Sequence, residues 1–305
     1  MNAITKKLLA SIVGADAAKS EAFNIREDSL CAERASSKNI KITDRKKDGG
    51  GITVQVLSTC DGETTYVPAC ITHAGVDDKA YTDYIVEDGA KVTISAGCAV
   101  HTEDKGESTH KGIHLFVIGK NCEVTYKENH IGTGPGVGHY IDTDTEIILG
   151  ENSHLYYETI QLKGVDNTNR FTTAKIEKKG FLELKERLLT TEKQQAYTTF
   201  KVALIGEDAS VDLISRSVAK DHSFQSIVSQ IDGQAKSKGH SECDSILEGN
   251  GKVSSSPIVI SSCPDAMLVH EAAIGKISGE QIQKLQTLGL TEEEAENWII
   301  QGFLK

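Results

Sequence analysis

The chain has 305 residues, with 33 basic and 44 acidic side chains and a formal net charge of −11 at pH 7. This acidic balance excludes a general nucleic-acid binder, because phosphate binding needs a basic face. The composition, 38% apolar and 25% charged, is that of a folded protein, and no apolar run exceeds four residues, which excludes a membrane-spanning helix.

The first twenty residues are predicted to form a helix, because Ile4, Leu8 and Ile12 recur every four positions. The same stretch faintly resembles a signal peptide, but its apolar part is short and is broken by Ser11 and Gly14. Residues 21–50 are polar and end in DRKKDGGG, which predicts a connector. We therefore expect an N-terminal unit of helix and connector over residues 1–50.

A short pattern recurs through residues 51–275 at intervals of 26 to 32 residues. Each copy has an apolar residue, a polar turn, a small residue and then alternating apolar positions. The small residue falls at Ala90, Cys122, Ser153, Gly180, Ala209, Ala235 and Ala266. A period near thirty residues without a helix predicts a stacked β architecture.

A parallel β-helix explains this pattern better than a β-sandwich, which also has alternating strands but needs no steady period. The low proline count of 4 agrees, since strands paired on both sides must donate every backbone hydrogen bond. The fold prediction is a mainly β solenoid core over residues 51–275.

The C-terminal residues 276–305 are predicted to form two helices. Ser278 with Gln281 and Thr291 with Glu294 have the spacing of capping boxes, and Gly289 is placed to end the first helix. Such a unit can cap the open end of a solenoid or present a docking face. The side chains expected to dock a partner are Ile282, Leu285, Leu288, Trp298, Ile299 and Phe303.

The seven cysteines are widely spaced and include no CxxC pair, so a zinc ribbon and a disulfide framework are both excluded. Reduced thiols in a cytoplasmic protein are the resulting expectation. The segment Asn250–Lys252 is not a phosphate-binding loop, because Ile246 stands where glycine is needed and Val253 replaces the Ser or Thr. We therefore expect no nucleotide to bind this chain.

Soft and borderline metal ligands cluster near the end of the repeat, at His240, Cys243, Cys263, His270 and Glu271. They lie about one coil apart, so stacking can bring them together, and Cys with His suits iron, zinc or copper. The alternative interpretation is that the Cys and His side chains are ordinary core residues, since free Cys is among the most buried residue types.

The stretch from HSECDSIL to the end of the chain resembles the C-terminal signature of the SufB/SufD family of the SUF iron–sulfur cluster assembly system. The matching positions are Ser256-Pro257, Asp265, His270-Glu271-Ala272, Gly275-Lys276-Ile277, Leu288-Gly289-Leu290 and Gly302-Phe303. A looser match includes KENHIGTG at 127–134, and the resemblance covers roughly residues 90–305.

This resemblance implies a right-handed parallel β-helix with helical ends and a non-catalytic scaffold that assembles a transient iron–sulfur cluster. It implies a SufC-like ABC ATPase bound through the C-terminal helices, a cysteine desulfurase system that supplies sulfur, and a homodimer or a SufB/SufD-type heterodimer. No nucleic acid or membrane partner is implied.

The resemblance also implies site roles. Cys243 matches the sulfur-handling or cluster cysteine, and His270 matches the histidine near the subunit interface. Glu271 matches the SufB-type motif and favours a short SufB-like form, whereas Val269 replaces a second acidic residue of that motif. Cys263 and His240 are weaker candidates. The competing function classes are a secreted or surface β-helix that acts on or binds polysaccharide, and a purely structural solenoid.

Overall fold

The computed structural model describes residues 1–14, 20–47, 49–103, 106–136 and 138–305. Within these ranges, three helices flank a large β region: α1 (Ala3–Ile12), α2 (Gly279–Thr287) and α3 (Glu292–Phe303). None of the helices in the described ranges is long and apolar enough to cross a bilayer.

Two sheets hold the strands, and consecutive long strands alternate between them. The first sheet contains β1 (Ala22–Glu27), β2 (Leu30–Ala35), β5 (Asp61–Ile71), β7 (Lys91–His101), β9 (Glu123–Thr133), β11 (His154–Lys163), β13 (Phe181–Thr190), β15 (Ser210–Ala219), β17 (Lys238–Leu247) and β19 (Met267–Gly275). The second contains β3 (Ile40–Asp44), β4 (Ile52–Val56), β6 (Asp77–Val86), β8 (Ser108–Ile118), β10 (His139–Leu149), β12 (Asn167–Ile176), β14 (Gln195–Leu204), β16 (Phe224–Gly233) and β18 (Lys252–Ser261).

The long strands pair in parallel with the strand one coil before and one coil after, which confirms the predicted parallel β-helix of about eight turns. The register is steady: Leu155 pairs with Leu182, Leu182 with Val211, Val211 with Gly239 and Gly239 with Leu268. Because side chains alternate between the two faces of a strand, a steady register stacks like positions into continuous inward and outward rows.

The inward rows form one apolar core between the sheets. At its centre the rings of Tyr84 and Phe116 stack with centroids 4.5 Å apart, and those of Tyr126 and Tyr157 lie 4.8 Å apart. Ring contacts of this kind add to the stabilisation from burial alone.

The corners before four first-sheet strands, β9, β11, β13 and β15, share one conformation. Asn121, Asn152, Lys179 and Asp208 all adopt φ between 55° and 58°, and the small residue that follows packs into the corner. The prediction was wrong in one coil: Ser237, not Ala235, occupies the buried corner position, since Lys238 pairs with Ser210. Small side chains are needed there because the chain turns against the previous coil.

The N-terminal region differs from the predicted connector, because residues 22–44 contain three strands. β1 and β2 form an antiparallel hairpin on the first sheet, and β3 pairs with β4 on the second. The predicted N-terminal helix is confirmed over Ala3–Ile12, and residues 15–19 of that prediction lie outside the described residues. Helix α1 packs through Leu8 and Ile12 against Cys70 and Ala99 of the first sheet. The division into three units remains a prediction.

The C-terminal helices do not cap the open end of the solenoid. Ile300 and Leu304, at the end of α3, pack against Leu189, Val218 and Ile246, which lie near the ends of β13, β15 and β17. The Thr291–Glu294 capping box is confirmed, but the Ser278 side chain makes no capping hydrogen bond. As a result, the last coil is left without a covering element within the described chain.

Candidate functional site

Cys243 lies in the middle of β17 and faces the interior, with 2% of its surface exposed. It is in register with Ser215 on one side and Ala272 on the other. Burial raises the pKa of its thiol, while the nearby hydroxyls of Ser255, Ser229 and Ser241 act in the opposite direction. The thiol is therefore protonated at neutral pH, and binding of a metal ion would release its proton.

His270 lies on β19 and faces the same interior, in register with Ser241. It therefore lies one coil after Cys243 and two residues away from direct register with it. The usual spacing between strands and the rise per residue then place the two α-carbons about 8 Å apart. Its buried Nδ1 atom has no hydrogen-bond partner, and neither does the hydroxyl of Ser255. These unpartnered polar atoms around Cys243 are suited to meet a ligand or solvent.

Glu271 is in register with Glu242 on the outer face of the first sheet. Since neighbouring residues of a strand point to opposite faces, the side chains of His270 and Glu271 do not converge within one chain. His240 also lies on the outer face, where its Nδ1 atom lies 2.7 Å from an Asp212 carboxylate oxygen. Cys263 is half-buried in the turn between β18 and β19.

Only Cys243 and His270 of the five candidate ligands therefore share the interior. In the described part of the chain, no group of three or more His, Cys, Asp or Glu side chains is arranged to hold a metal ion. A cluster at this end would need further ligands from outside this arrangement, such as a second chain, sulfide or a small thiol.

The interior also contains a charged column that sequence reasoning missed. One carboxylate oxygen of Glu186 accepts hydrogen bonds from Arg170 and Thr198, and the other accepts one from Ser215, the register neighbour of Cys243. Arg170 also contacts the Nδ1 atom of His130 at 3.1 Å. The signal was available as polar residues at inward positions, but their meeting depends on register between distant strands.

The column continues toward the N-terminal end of the solenoid. There Asp78, which is 1% exposed, is bound by Arg26 at 2.7 Å and by the Nδ1 atom of His110 at 2.8 Å. Burial opposes the charge on Asp78, but His110 and Arg26 hold the pKa of the carboxyl well below its usual range. A cavity of about 40 Å³ lies beside these groups and is also lined by His114 and Glu128.

The C-terminal end presents two free sheet edges, β18 and β19. Several of their apolar side chains are exposed, with Met267 at 66% and Val269 at 51%. The others in this exposed set are Ile258, Val259, Ile260 and Ile274. Long apolar edges of this kind are normally covered by another strand or another chain.

Some of the side chains expected to contact a partner are exposed, and others are partly or largely covered. Leu288 and Trp298 are 78% and 64% exposed, while Ile282, Leu285 and Ile299 are half-buried. Phe303 instead packs against the cluster that attaches α3 to the solenoid. Leu288 and Trp298 are therefore the most accessible apolar side chains of this helical pair.

Comparison with known proteins identifies a family that matches most of the chain. The model of the SUF system FeS cluster assembly SufBD core domain matches residues 73–303. An iron–sulfur cluster assembly SufBD family protein of Methanocaldococcus jannaschii is 28% identical over 86% of this chain and 84% of its own length.

Two further relatives with the same family description cover less of their own length. The one from Archaeoglobus fulgidus is 27% identical over 78% of this chain and 64% of its own. The one from Methanothermobacter thermautotrophicus is 28% identical over 74% of this chain and 55% of its own. The family match decides between the function classes that the sequence left open, in favour of iron–sulfur cluster assembly. The chain belongs to the SufBD family of iron–sulfur cluster assembly proteins.

Proposed function

We propose that this chain is a non-catalytic scaffold on which a nascent iron–sulfur cluster is built and released, with Cys243 as its thiolate ligand or sulfur acceptor. The observation that carries the proposal is the position of Cys243, one coil below the open end of the solenoid and surrounded by serine hydroxyls. A lone thiol with His270 nearby gives fewer protein ligands than a four-cysteine site. A loosely held cluster suits a protein that must release it.

Pairing with a second copy or with a paralogue completes this site. Strands β18 and β19 each have one free edge, and their exposed apolar side chains favour burial against another sheet end. End-to-end pairing extends both sheets and brings a second interior end toward Cys243 and His270. The outward Glu271 then lies at the junction on the outer face of the extended sheet, on the opposite side of the strand from His270.

A SufC-like ABC ATPase is the proposed partner for the C-terminal helices, through the exposed Leu288 and Trp298. The chain itself lacks a phosphate-binding loop around Asn250–Lys252, so nucleotide hydrolysis is assigned to that partner. Sulfur is proposed to come from a cysteine desulfurase system. All seven cysteines are free. We place the protein in the cytoplasm, where thiols are kept reduced.

Anaerobic reconstitution with Fe²⁺ and sulfide tests the role of Cys243. Cys243→Ala is expected to lose the visible absorbance of the retained cluster, whereas Cys263→Ala is expected to keep most of it. Both variants need the wild-type circular dichroism spectrum, which shows that folding is preserved. Equal cluster absorbance in Cys243→Ala and wild type would remove Cys243 from the mechanism.

A further inference from the structure

The outer face of the second sheet carries exposed aromatic side chains. Helices α1 and α3 both pack on the first sheet, whereas on the second sheet Phe171 of β12 and Tyr197 of β14 remain 40% and 37% exposed. The Lys201 ammonium lies 5.5 Å from the centroid of the Phe171 ring, and the Tyr197 ring lies 5.8 Å from that of Phe224. Aromatic side chains are enriched in surfaces that bind other proteins.

This face is large enough to form a stable interface. The five strands β8, β10, β12, β14 and β16 each turn five side chains outward. The usual strand spacing and rise per residue make the face about 24 by 33 Å. Its area is therefore about 800 Å², which is what each partner buries in a standard protein interface.

The charges on this face nearly cancel, although the whole chain has a formal net charge of −11. Three lysines and four carboxylates occupy its outward positions. They are Lys111, Lys175, Lys201, Asp142, Asp144, Glu146 and Asp232. A high net charge makes copies of a protein repel one another. That repulsion is weaker where the local charges cancel, so this face favours the approach of a second copy.

The strand register places an acidic and a basic side chain symmetrically about β12. Glu146 of β10 is in register with Thr173 of β12, and Thr173 is in register with Lys201 of β14. The carboxylate and the ammonium therefore lie at the same level, one strand to either side of β12. Both side chains are exposed, and within the described residues neither forms an ion pair.

We propose that this face binds a second copy of the chain, face to face, about a two-fold axis that runs along β12. Such an axis lays β10 of one copy over β14 of the other, so that Glu146 of each copy meets Lys201 of the other. Sheets stacked in this way lie about 10 Å apart with their strands nearly aligned. Glutamate and lysine side chains together span that gap, and the symmetry forms the ion pair twice.

The same axis brings apolar side chains together at the centre. Phe171 lies on β12 and meets Phe171 of the other copy. At the level of Phe171, Ile113 of β8 and Val228 of β16 lie two strands to either side of β12, so Ile113 of each copy faces Val228 of the other. Lys175, also on β12, is opposed by its own copy, and Asp232, which lines the same groove, supplies a neighbouring carboxylate.

The test uses the full chain with Val259→Lys and Ile274→Lys, so that pairing through the exposed ends of the sheets is blocked. Light scattering over a concentration series should show this parent passing from the mass of one chain to that of two. Glu146→Lys and Lys201→Glu should each weaken pairing by at least about tenfold, because each places like charges opposite one another twice. An equimolar mixture of the two reversed chains should pair again, since every ammonium then faces a carboxylate.

Lys127→Glu is the matched control, because Lys127 is exposed on the outer face of the first sheet, and it should pair as the parent does. Phe171→Ser tests the apolar centre and should also weaken pairing by at least about tenfold. All variants need the circular dichroism spectrum of the parent.

A parent that keeps the mass of one chain at every concentration would overturn the proposal. So would reversed chains that pair as well as the parent, or a mixture that pairs no better than either reversed chain alone. The measurement needs no iron, sulfide or nucleotide, so this proposal and the proposed function can fail separately.

Discussion

The two ends of the solenoid are built differently. At the N-terminal end the sheets finish in the short strands β2 and β3, which are 6 and 5 residues long and form antiparallel hairpins with the chain beside them. At the C-terminal end they finish in β18 and β19, which are 10 and 9 residues long and expose apolar side chains. The N-terminal end is closed by hairpins of its own chain. The C-terminal end has long edges with exposed apolar side chains, which are typical of a surface that binds another chain.

The difference separates two sources of stability. The N-terminal end relies on contacts within one chain, including the Arg26–Asp78–His110 cluster. The proposed pairing would supply the contacts that the C-terminal end lacks within one chain. Changes at the first end should therefore alter the stability of a single chain, whereas changes at the second should alter assembly.

The largest effect is expected from charge at the open end. The double variant Val259→Lys and Ile274→Lys places two ammonium groups in the surface that pairing would bury. Burying an unpaired charge costs several kcal/mol, so we expect pairing to weaken on the order of 100-fold or more. Light scattering over a concentration series measures this. The thermal midpoint of the single chain should change little, because both side chains are already exposed.

Leu30→Lys is the matched control, since Leu30 is 72% exposed on the edge strand at the opposite end. It should leave pairing unchanged. A wild-type chain that keeps the mass of one chain at every concentration contradicts pairing with itself. Loss of pairing in Leu30→Lys would contradict the contrast between the ends.

An intermediate effect is expected from Asp78→Asn at the closed end. Removing this charge leaves Arg26 and His110 without their carboxylate, and we expect a loss of about 2–4 kcal/mol in the free energy of unfolding at pH 7. Because the pKa of Asp78 is lower in the folded chain than in the unfolded one, its contribution is present above about pH 4 and is lost as the pH falls further. Urea unfolding at several pH values measures this.

The difference between wild type and Asp78→Asn should therefore shrink below about pH 4. Asp44→Asn is the control, because Asp44 pairs with Arg34 at the surface with 86% of its side chain exposed. It should change stability by less than about 1 kcal/mol at any pH. A constant difference between Asp78→Asn and wild type from pH 7 to pH 2 would contradict the role of the Asp78 charge.

The smallest effect is expected from the N-terminal caps of the two C-terminal helices. Thr291 accepts a hydrogen bond from the backbone of Glu294, so Thr291→Ala should destabilise α3 by about 1 kcal/mol. Ser278 makes no such bond, and Ser278→Ala should have almost no effect on α2. Amide hydrogen exchange in the two helices measures both. Equal increases in exchange in the two variants would contradict this difference.

Much of the fold could be predicted from the sequence because stacked coils repeat a local pattern. The corners at Cys122, Ser153 and Ala209 are identifiable from a few neighbouring residues, as is the cap at Thr291. The strands in residues 22–44 were missed because their pairing partners, β4 and β5, supply most of the pattern that defines them. A polar segment does not show by itself which strand elsewhere in the chain it pairs with.

The site could be predicted only in part for a similar reason. Cys243 and His270 are visible in the linear sequence, and the alternation of strand residues already implies that Glu271 must face away from His270. The charged column was not predictable in the same way, because Glu128, Arg170 and Glu186 meet only through the register of separate strands. Register depends on the whole stack of coils and not on any one segment.

The attachment of α3 has a mechanical consequence. Its end packs on Leu189, Val218 and Ile246, which belong to three successive coils of one sheet. A pull on this helix is therefore distributed over three rungs of the ladder at once, and their hydrogen bonds share the load. A partner bound to α3 would rotate the end of the solenoid as a rigid body. A force applied to β19 alone would separate only that strand from the sheet.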